Sequence, residues 1–297
     1  MYTSTSIESS RNGFGNLVRL EDTPGDRSGI QTTASGALFP TPDNNLVATF
    51  DNANLAATTS LTTTVFESQP YDCVVVKTRS GRELLVGADS PLLVPHSDSG
   101  QLIQVRSTEA TGRLVPIWMG SPFIHNGFNF ELGWWYAVLA ADGWVSRGTV
   151  GYSKDDGKKR RRFEEIAAAQ ISSNFTCREY HDDGTAEAKF AASTKIHLNG
   201  QELPTLIESV YHPDLSLSGG TLRAALFKML PRKLLYNGSQ ECLWGLLSGL
   251  LDGDSSLGWN EFRDTPRFYA KLNTSSPYLK DDLVFLLQKL GIRCSVT

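Results

Sequence analysis

The sequence has few residues of the kinds that mark secreted, membrane or zinc-binding proteins. Its 297 residues include only four cysteines, three methionines and five histidines. No apolar run approaches the roughly 20 residues of a membrane span. The start MYTSTSIESSRNG has neither the basic nor the apolar part of a signal peptide. We therefore expect an intracellular, cytoplasmic protein with no membrane partner.

The cysteines and the charges limit the kinds of metal site and of nucleic-acid surface that the protein can have. The four cysteines form no C-x-x-C pair and no zinc-ligand spacing, which predicts free buried thiols; they are Cys73, Cys177, Cys242 and Cys294. The formal net charge is −4 at pH 7. A binding face for nucleic acid would therefore have to come from local segregation of charge.

Changes in composition divide the chain into four segments. Positions 1–64 are rich in Ser and Thr and predict irregular or weakly β structure with no assigned role. Positions 65–126 contain paired apolar strands with an RSG turn, which predict a β-rich module. Positions 127–234 and 235–297 each begin with a helix that ends in acid and continue with strands and a helix, so they form an internal repeat.

The two acidic helix ends can be aligned, WYAVLAADG at positions 135–143 with LSGLLDGDS at 247–255. Small residues fall on one face of each helix, at Ala137 and Ala141 in the first copy and at Gly249 and Gly253 in the second. Small residues at this spacing let two helix backbones approach closely. If the helices pack through this face, the acids that follow it lie together at one end of the interface.

The acids of this repeat predict a metal site. Asp142 and Asp254 face the negative end of their own helix dipoles, which costs roughly 0.3–1 kcal/mol unless something compensates. Two carboxylates and exposed helix-end carbonyls are the hard oxygen ligands that suit Mg²⁺. Phosphodiester hydrolysis is a common use of such a site. A pair of surface aspartates in turns is the alternative.

The repeat resembles the LAGLIDADG (dodecapeptide) homing endonucleases, most clearly in LLSGLLDGD and LNTSSPYLKDDLVFLLQKLGI. The resemblance implies an α+β fold of two αββαββα repeats that form a pseudo-dimeric saddle on double-stranded DNA. It also implies that Asp142 and Asp254 bind the catalytic Mg²⁺, with Asp252 less central. Lys195 could match the family's basic residue beside the metals, and an ordinary strand lysine is the alternative.

The same resemblance implies that strand residues make most of the DNA contacts. The residues assigned to DNA on this ground are Arg147, Tyr152, Lys154, Asn260, Arg263, Arg267, Tyr269 and Lys271. The basic run Lys158–Arg162 is interpreted instead as the solvated face of an amphipathic helix. Because the second repeat stops short of its later strands, we expect a fragment, a split protein with a completing partner, or a decayed copy.

The module at 65–126 resembles the Hint domain of inteins, through VVVKTRSGRELLVGADSPLLVP followed by GRLVPIW. Gly87-Ala88-Asp89-Ser90 stands where that family has Thr-x-x-His, and no terminal His-Asn is found. The sequence thus predicts an intein-derived, site-specific DNA endonuclease. Two alternatives stay open: a binding-only protein, such as an RNA maturase or DNA-binding regulator, and part of an intein that carries out protein splicing.

Overall fold

The computed structural model describes most of the chain from position 72 onwards and scattered strands before it. The described residues are 6–11, 14–19, 31–33, 36–51, 56–68, 72–116, 128–146, 149–153, 157–171, 176–180, 193–197, 209–212, 221–262 and 265–297. Side chains are described from 72 onwards, except at 145, 146, 149, 153, 176–180, 193–197, 221–223, 260–262, 265 and 267.

The chain is an α+β protein with small antiparallel sheets. It divides into two compact units. The first unit comprises Met1–Ile124 with Leu287–Thr297, and the second comprises His125–Leu286. The candidate site belongs to the second unit.

The first unit is built from antiparallel β-structure. Its strands are β1 (Ser6–Arg11), β2 (Phe14–Arg19), β3 (Gln31–Thr33), β4 (Gly36–Asp51), β5 (Ala56–Ser68), β6 (Cys73–Lys77), β7 (Glu83–Gly87), β8 (Pro91–Pro95) and β9 (Leu102–Arg106). Strands β2, β1, β4 and β3 form one sheet in that order, and β5 also pairs with β4. Strands β1 to β4 and most of β5 lie within the segment 1–64.

The β6–β7 hairpin anchors the last residues of the chain within this unit. Gly81 has φ +80° in its turn, a conformation that glycine adopts readily. The Val296 amide donates to the Ser80 carbonyl at 2.8 Å, and Arg82 donates to the Gln288 side chain at 3.0 Å. Hairpin β8–β9 follows, with the short 3₁₀ helix Ser107–Glu109 after it.

The second unit contains two similar runs of elements. The first run is α1 (Phe130–Ala141), β10 (Gly143–Ser146), β11 (Thr149–Ser153), α2 (Gly157–Ile166), β12 (Thr176–Tyr180) and β13 (Ser193–His197). The second is α3 (Arg232–Asn237), α4 (Gln240–Asp254), β14 (Ser255–Phe262), β15 (Thr265–Leu272) and α5 (Pro277–Lys289). Both runs contain a helix, a hairpin and a second helix.

Helix α1 forms where the apolar run FELGWWYAVLAA leaves almost no polar face. The side chain of Asn129 caps its start by accepting the Leu132 amide hydrogen at 2.9 Å. The run is apolar because core residues enclose the helix: Trp134 and Trp135 of α1 are fully buried, and so is Phe163 of the later helix α2. They form the centre of this unit's core.

Strands β10–β13 form a four-stranded sheet in the order β10-β11-β13-β12 against that core. Val150 and Tyr152 alternate along β11 and are both fully buried. The ring of Tyr152 lies 4.9 Å from that of Phe163 in α2, which itself stacks on Trp135 at 4.9 Å. Helix α2 continues as a π-helical turn, Ala167–Ile171.

Helix α4 starts at a second cap. The Ser239 hydroxyl accepts the Cys242 amide hydrogen at 3.2 Å and donates to the Phe128 carbonyl at 2.6 Å. The Ser239 side chain therefore ties the start of α4 to the residues just before α1. Hairpin β14–β15 follows α4 directly, and its register runs from Ser255 opposite Leu272 to Phe262 opposite Thr265.

The segment between the two runs differs from the prediction. GGTLRAALFKML predicts one helix, but the structure has a 3₁₀ helix at Thr221–Phe227 and then extended backbone. Lys228 forms an antiparallel bridge with Tyr211, and its carbonyl accepts the Ser276 hydroxyl. Tertiary contacts on both sides thus hold the extended backbone at Lys228.

Two whole-chain expectations can be compared with the structure. None of the helices in the described ranges is both long enough and apolar enough to cross a bilayer. The expectation of buried thiols holds for Cys242, whereas Cys73 is exposed on β6 and Cys294 is half-buried. The side chain of Cys177 lies outside the described residues.

Candidate active site

Helices α1 and α4 pack through the small residues of the repeat. A Cβ atom placed on Gly249 would lie 2.5 Å from the Trp134 carbonyl oxygen and 2.7 Å from the Ala137 Cβ. Gly133 and Gly245 also face the backbone of the opposite helix too closely to carry a side chain. These two glycines continue the same four-residue spacing, and that spacing is the signal that could have identified them from the sequence.

The close packing extends to the ends of both helices. Asp142 is the C-cap of α1, and Asp254 is the last residue of α4. A Cβ placed on Gly253 would lie 2.5 Å from the Ala141 Cβ and 3.3 Å from Asp142 Oδ2. The Asp142 carboxylate therefore lies against the last turn of α4, and the structure brings the two predicted acids to the same end of the interface.

A lysine that the sequence did not single out lies beside these acids. Lys228 Nζ donates to the Ala141 carbonyl at 2.7 Å. Burial lowers the pKa of Lys228, and the negative charges of Asp254 and Asp142 act in the opposite direction. Both acids are thus near enough to stabilise the ammonium. No local pattern marks Lys228, because its position depends on how the segment between the runs packs.

A pocket of about 300 Å³ opens next to this group. Small and polar residues make up most of its lining: Ala140, Ala141, Ala225, Lys228, Asp254, Asn273, Thr274, Ser275 and Leu279. One ammonium and one carboxylate therefore face a space with several hydroxyl and amide groups. Such a lining suits a polar ligand better than an apolar one.

Asp252 has a structural role in the helix assembly. Its carboxylate accepts from Trp134 Nε1 at 2.8 Å and from Lys159 Nζ at 2.9 Å. Burial favours the neutral acid, but the hydrogen bonds from Trp134 and Lys159 outweigh it and lower the pKa of Asp252. Asp252 therefore ties the end of α4 to α1 and α2, which answers why a helix would carry this acid near its C-terminus.

The basic run of α2 is more than a solvated face. Arg162 donates twice to the Glu131 carboxylate at 3.0 Å, and its guanidinium lies 4.3 Å from the centre of the Trp134 ring. Arg160 is buried, while Lys158 and Arg161 are exposed. The interpretation of Lys158–Arg162 as solvated therefore needs correction, because part of the run packs on α1.

The donors at the helix ends fit Mg²⁺ only as a site shared with substrate. Asp142 and Asp254 supply two carboxylates, and the described residues contain no cluster of three or more His, Cys, Asp or Glu side chains suited to a metal. Mg²⁺ is usually bound by one or two carboxylates together with waters and substrate phosphates. Of the helix-end carbonyls expected to contribute to the site, that of Ala141 accepts a hydrogen bond from Lys228.

The structure corrects one predicted DNA contact and leaves others outside the described residues. Tyr152 is fully buried against Phe163, so its side chain belongs to the core and not to a DNA-binding surface. The residues Arg147, Lys154 and Arg263 lie outside the described positions. The backbone of Asn260 and Arg267 lies in β14 and β15, and their side chains are not among those described.

The two faces of hairpin β14–β15 carry different kinds of exposed side chain. Tyr269 and Lys271 alternate along β15 and are both exposed, as predicted DNA-contacting residues would be. On the opposite face Trp259 is 74% exposed, and its ring packs edge-to-face on Phe268 at 5.4 Å. Positions 260 and 267 pair with each other and belong, by alternation, to the face of Tyr269.

Lys195 lies in β13, where its backbone pairs with Gly151 and Arg178. Gly151 alternates with buried Val150 and Tyr152, so position 195 belongs to the sheet face opposite the core. The Lys195 side chain is not among those described. Its assignment beside the acids stays a prediction, and Lys228 is the lysine that the structure places there.

Comparison with known proteins gives one distant similarity. No protein-family model matches this chain. The replication factor C small subunit of Methanocaldococcus jannaschii is 23% identical over 236 residues. The aligned region is 77% of this chain but 11% of the relative, so the chain spans about a tenth of that protein's length. At this identity and coverage the chain is not assigned to a family.

Proposed function

We propose that this protein is a site-specific double-strand DNA endonuclease of the LAGLIDADG type that uses Mg²⁺ to hydrolyse phosphodiester bonds. One observation carries the proposal: two aspartates end two helices that pack at glycine-to-backbone distance, Asp142 on α1 and Asp254 on α4. The two carboxylates lie at the negative ends of the helix dipoles, where their charge is unfavourable, and a bound cation would offset this repulsion.

The residues around the acids have defined roles in this proposal. Asp142 and Asp254 would hold Mg²⁺, which when bound activates water and stabilises the charge on the leaving oxygen. Lys228 presents an ammonium to the same space, where it stabilises negative charge that develops on the phosphate. The pocket residues Asn273, Thr274 and Ser275 supply further groups that can hydrogen-bond to phosphate oxygens.

DNA binding is assigned to the strands. Tyr269 and Lys271 are exposed on one face of the β14–β15 hairpin. Lysine contacts to phosphates position a duplex, and side chains that reach base edges in the major groove select its sequence. Since the two repeats differ in sequence, the proposed target is long and non-palindromic.

The coverage of the distant relative supports an origin inside another protein. The similarity extends over most of this chain but over a small part of a much longer protein. This pattern is expected when a self-contained module is embedded in a host protein. It agrees with the intein-derived origin that the Hint-like β module suggests, and it carries no activity from the relative to this chain.

The test of the proposal uses the full chain and a plasmid library with randomised inserts. Sites cut in Mg²⁺ are recovered by sequencing, and cleavage of one recovered site is compared among variants. Asp142→Asn and Asp254→Asn should each reduce cleavage by at least about 10²-fold, because each removes one carboxylate ligand. Binding to the same duplex should change little.

Asp281→Asn is the matched control, because Asp281 is an exposed aspartate on α5 that pairs only with the neighbouring Lys280 in the described contacts. It should cut like the wild type. Equal cutting by all three variants, or failure of the wild type to cut any library member in Mg²⁺, would contradict the nuclease.

A binding-only protein is the second candidate, and the position of Lys228 favours it. An ammonium close to both carboxylates already compensates part of their charge without a metal. This candidate predicts duplex or RNA binding of equal strength in Mg²⁺ and in EDTA, with no cleavage. The nuclease predicts cleavage that stops in EDTA.

A further inference from the structure

The residue just before α5 is a buried serine with two hydrogen bonds. The Ser276 hydroxyl accepts the Leu279 amide hydrogen at 3.2 Å and so caps α5. The same hydroxyl donates to the Lys228 carbonyl at 2.5 Å. The start of α5 is therefore tied to the stretch 227–230, which we call the Lys228 segment.

An aspartate on α5 makes a second link to this segment. Asp282 lies three residues after Leu279 and four before Leu286, which are both buried, so it belongs to the apolar face of the helix. A buried carboxylate is costly unless it is hydrogen-bonded. Asp282 Oδ2 accepts the Leu230 amide hydrogen at 2.8 Å, which explains an acid where the helical pattern predicts an apolar residue.

The opposite edge of the Lys228 segment pairs with positions 210–212. The Phe227 carbonyl accepts the His212 amide hydrogen at 2.7 Å, and the Met229 amide donates to the Val210 carbonyl at 2.9 Å. Odd-numbered positions of the segment thus bond to this neighbour and even-numbered positions bond to α5. Such alternation is typical of an extended segment with a partner on each edge.

These contacts determine where the Lys228 ammonium lies. Its Nζ donates to the Ala141 carbonyl at the end of α1, at 2.7 Å. Ser276 and Asp282 are both buried, and neither is among the described residues that line the adjacent pocket. A helix of the second run of elements thus positions a charge at the end of α1, in the first run, through backbone contacts alone.

We infer that Ser276 and Asp282 are positioning residues of the nuclease: they hold the Lys228 ammonium beside the acids that end α1 and α4. The inference rests on the proposed function and extends it, because the effect of both residues on cleavage passes through Lys228. Loss of either contact should slow cleavage and leave DNA binding unchanged, since both side chains are buried.

The test is a double-mutant cycle on single-turnover cleavage of a selected site, well below the thermal midpoint of every variant. Ser276→Ala should slow cleavage by about tenfold or more, because a displacement of about 1 Å at a catalytic group can cost about 10²-fold. In the Lys228→Met background the same substitution should slow cleavage by less than about twofold, because coupled residues are not additive. Equal factors in both backgrounds would indicate a merely structural role and overturn the inference.

Ser239→Ala is the matched control. Ser239 also caps a helix and donates to a backbone carbonyl, that of Phe128 at 2.6 Å, but it lies at the opposite end of α4 from Asp254. Its substitution should lower the thermal midpoint about as much as Ser276→Ala does. Its effect on cleavage should be small and equal in both backgrounds, and a loss as large as that of Ser276→Ala would contradict the positioning role.

Asp282 allows a test by conservative rescue. Asp282→Asn keeps a side-chain oxygen that can accept the Leu230 amide hydrogen, so it should cut within about threefold of the wild type. Asp282→Leu has a similar size but no acceptor, and it should cut about tenfold or more slowly. Equal cleavage by the two variants would overturn the role of Asp282.

A second measurement needs neither DNA nor metal. The lysine ε carbons are isotope-labelled for NMR, and the Lys228 signal is the one that Lys228→Met lacks. This signal should move toward those of exposed lysines in Ser276→Ala and in Asp282→Leu, because the ammonium leaves the Ala141 carbonyl. It should stay in place in Ser239→Ala, and an unmoved signal in all three variants would overturn the inference.

The two measurements separate this inference from the proposed function. A wild-type protein that cuts no DNA in Mg²⁺ would overturn the nuclease, whereas a Lys228 signal that moves as predicted would still support the placement of the ammonium. A wild type that cuts, with cleavage unchanged in Ser276→Ala and Asp282→Leu, would overturn the inference and leave the nuclease intact.

Discussion

Substituting Gly249 with alanine tests the helix packing that brings the two aspartates together. The added Cβ would lie 2.5 Å from the Trp134 carbonyl oxygen and 2.7 Å from the Ala137 Cβ. Carbon atoms at their optimal separation are about 3.5–4.0 Å apart. The helices must therefore separate by roughly 1 Å, because a backbone carbonyl cannot rotate away as a flexible side chain does.

The magnitude follows from two opposed effects. Alanine is preferred over glycine inside a helix by about 0.5–1 kcal/mol, whereas overpacking costs about 1–3 kcal/mol. We expect Gly249→Ala to lower the free energy of unfolding by about 1–2 kcal/mol. For a unit of this size that shifts the thermal midpoint down by about 2–8 °C. A 1 Å displacement of catalytic groups should also slow cleavage by about 10²-fold.

The assay pairs thermal unfolding with cleavage of a selected site. Gly157→Ala is the control, because among the described residues a Cβ there meets only Arg160 Nη2 at 3.7 Å, an ordinary contact. It should be neutral or stabilising by up to about 1 kcal/mol. A Gly249→Ala protein as stable and as active as the wild type would refute the close packing.

Three further predictions concern the charged groups. The folded-state pKa of Lys228 lies below its ordinary value of 10.5. Between these two pKa values the unfolded chain binds more protons than the folded protein, so the free energy of unfolding rises with pH there. Urea unfolding of Lys228→Met should lack this rise. Asp252 has a lowered pKa, so its contribution to stability is present above the unfolded-state pKa and is lost as pH falls through the folded-state pKa. Asp252→Asn should therefore cost about 1–2 kcal/mol of unfolding free energy at pH 7, and the cost should fall as the solution is acidified below the unfolded-state pKa. Arg162→Ala should lower the free energy of unfolding by about 1 kcal/mol, because it removes the ion pair with Glu131 and the contact with the Trp134 ring. Substitution of exposed Arg161 with alanine should change it by less than about 0.5 kcal/mol.

The sequence predicted the helix pair of the second unit because its signals are local. Each helix carries small residues four apart and ends in an acid, and the structure places Ala137 and Ala141 of α1 against Gly249 and Gly253 of α4. The hairpins after both helices could be predicted for the same reason, because alternation and turns are read within a few residues.

The features missed depend on contacts distant in the sequence. Lys228 lies in a segment that resembles a helix, but its extended backbone is fixed by Tyr211 and Ser276. The roles of Asp252 and Arg162 also depend on partners in other helices. A helical pattern gives the face on which a residue lies, but it does not identify the element that packs on that face.

The assignment of Tyr152 to DNA failed for a related reason. Strand alternation gives two faces but does not state which one meets the core, and the family resemblance was applied to the wrong face. Phe163 of α2 covers the face that carries Tyr152. Burial is therefore the information that the resemblance lacked.

The most direct test of the central claim is to locate the metal. Crystals of the full chain with a selected duplex and Mn²⁺ in place of Mg²⁺ would be measured for anomalous scattering. We predict a peak beside the Asp142 and Asp254 carboxylates, at the end of the α1–α4 interface. Duplex bound over the strands with no anomalous peak at these two acids would contradict the account.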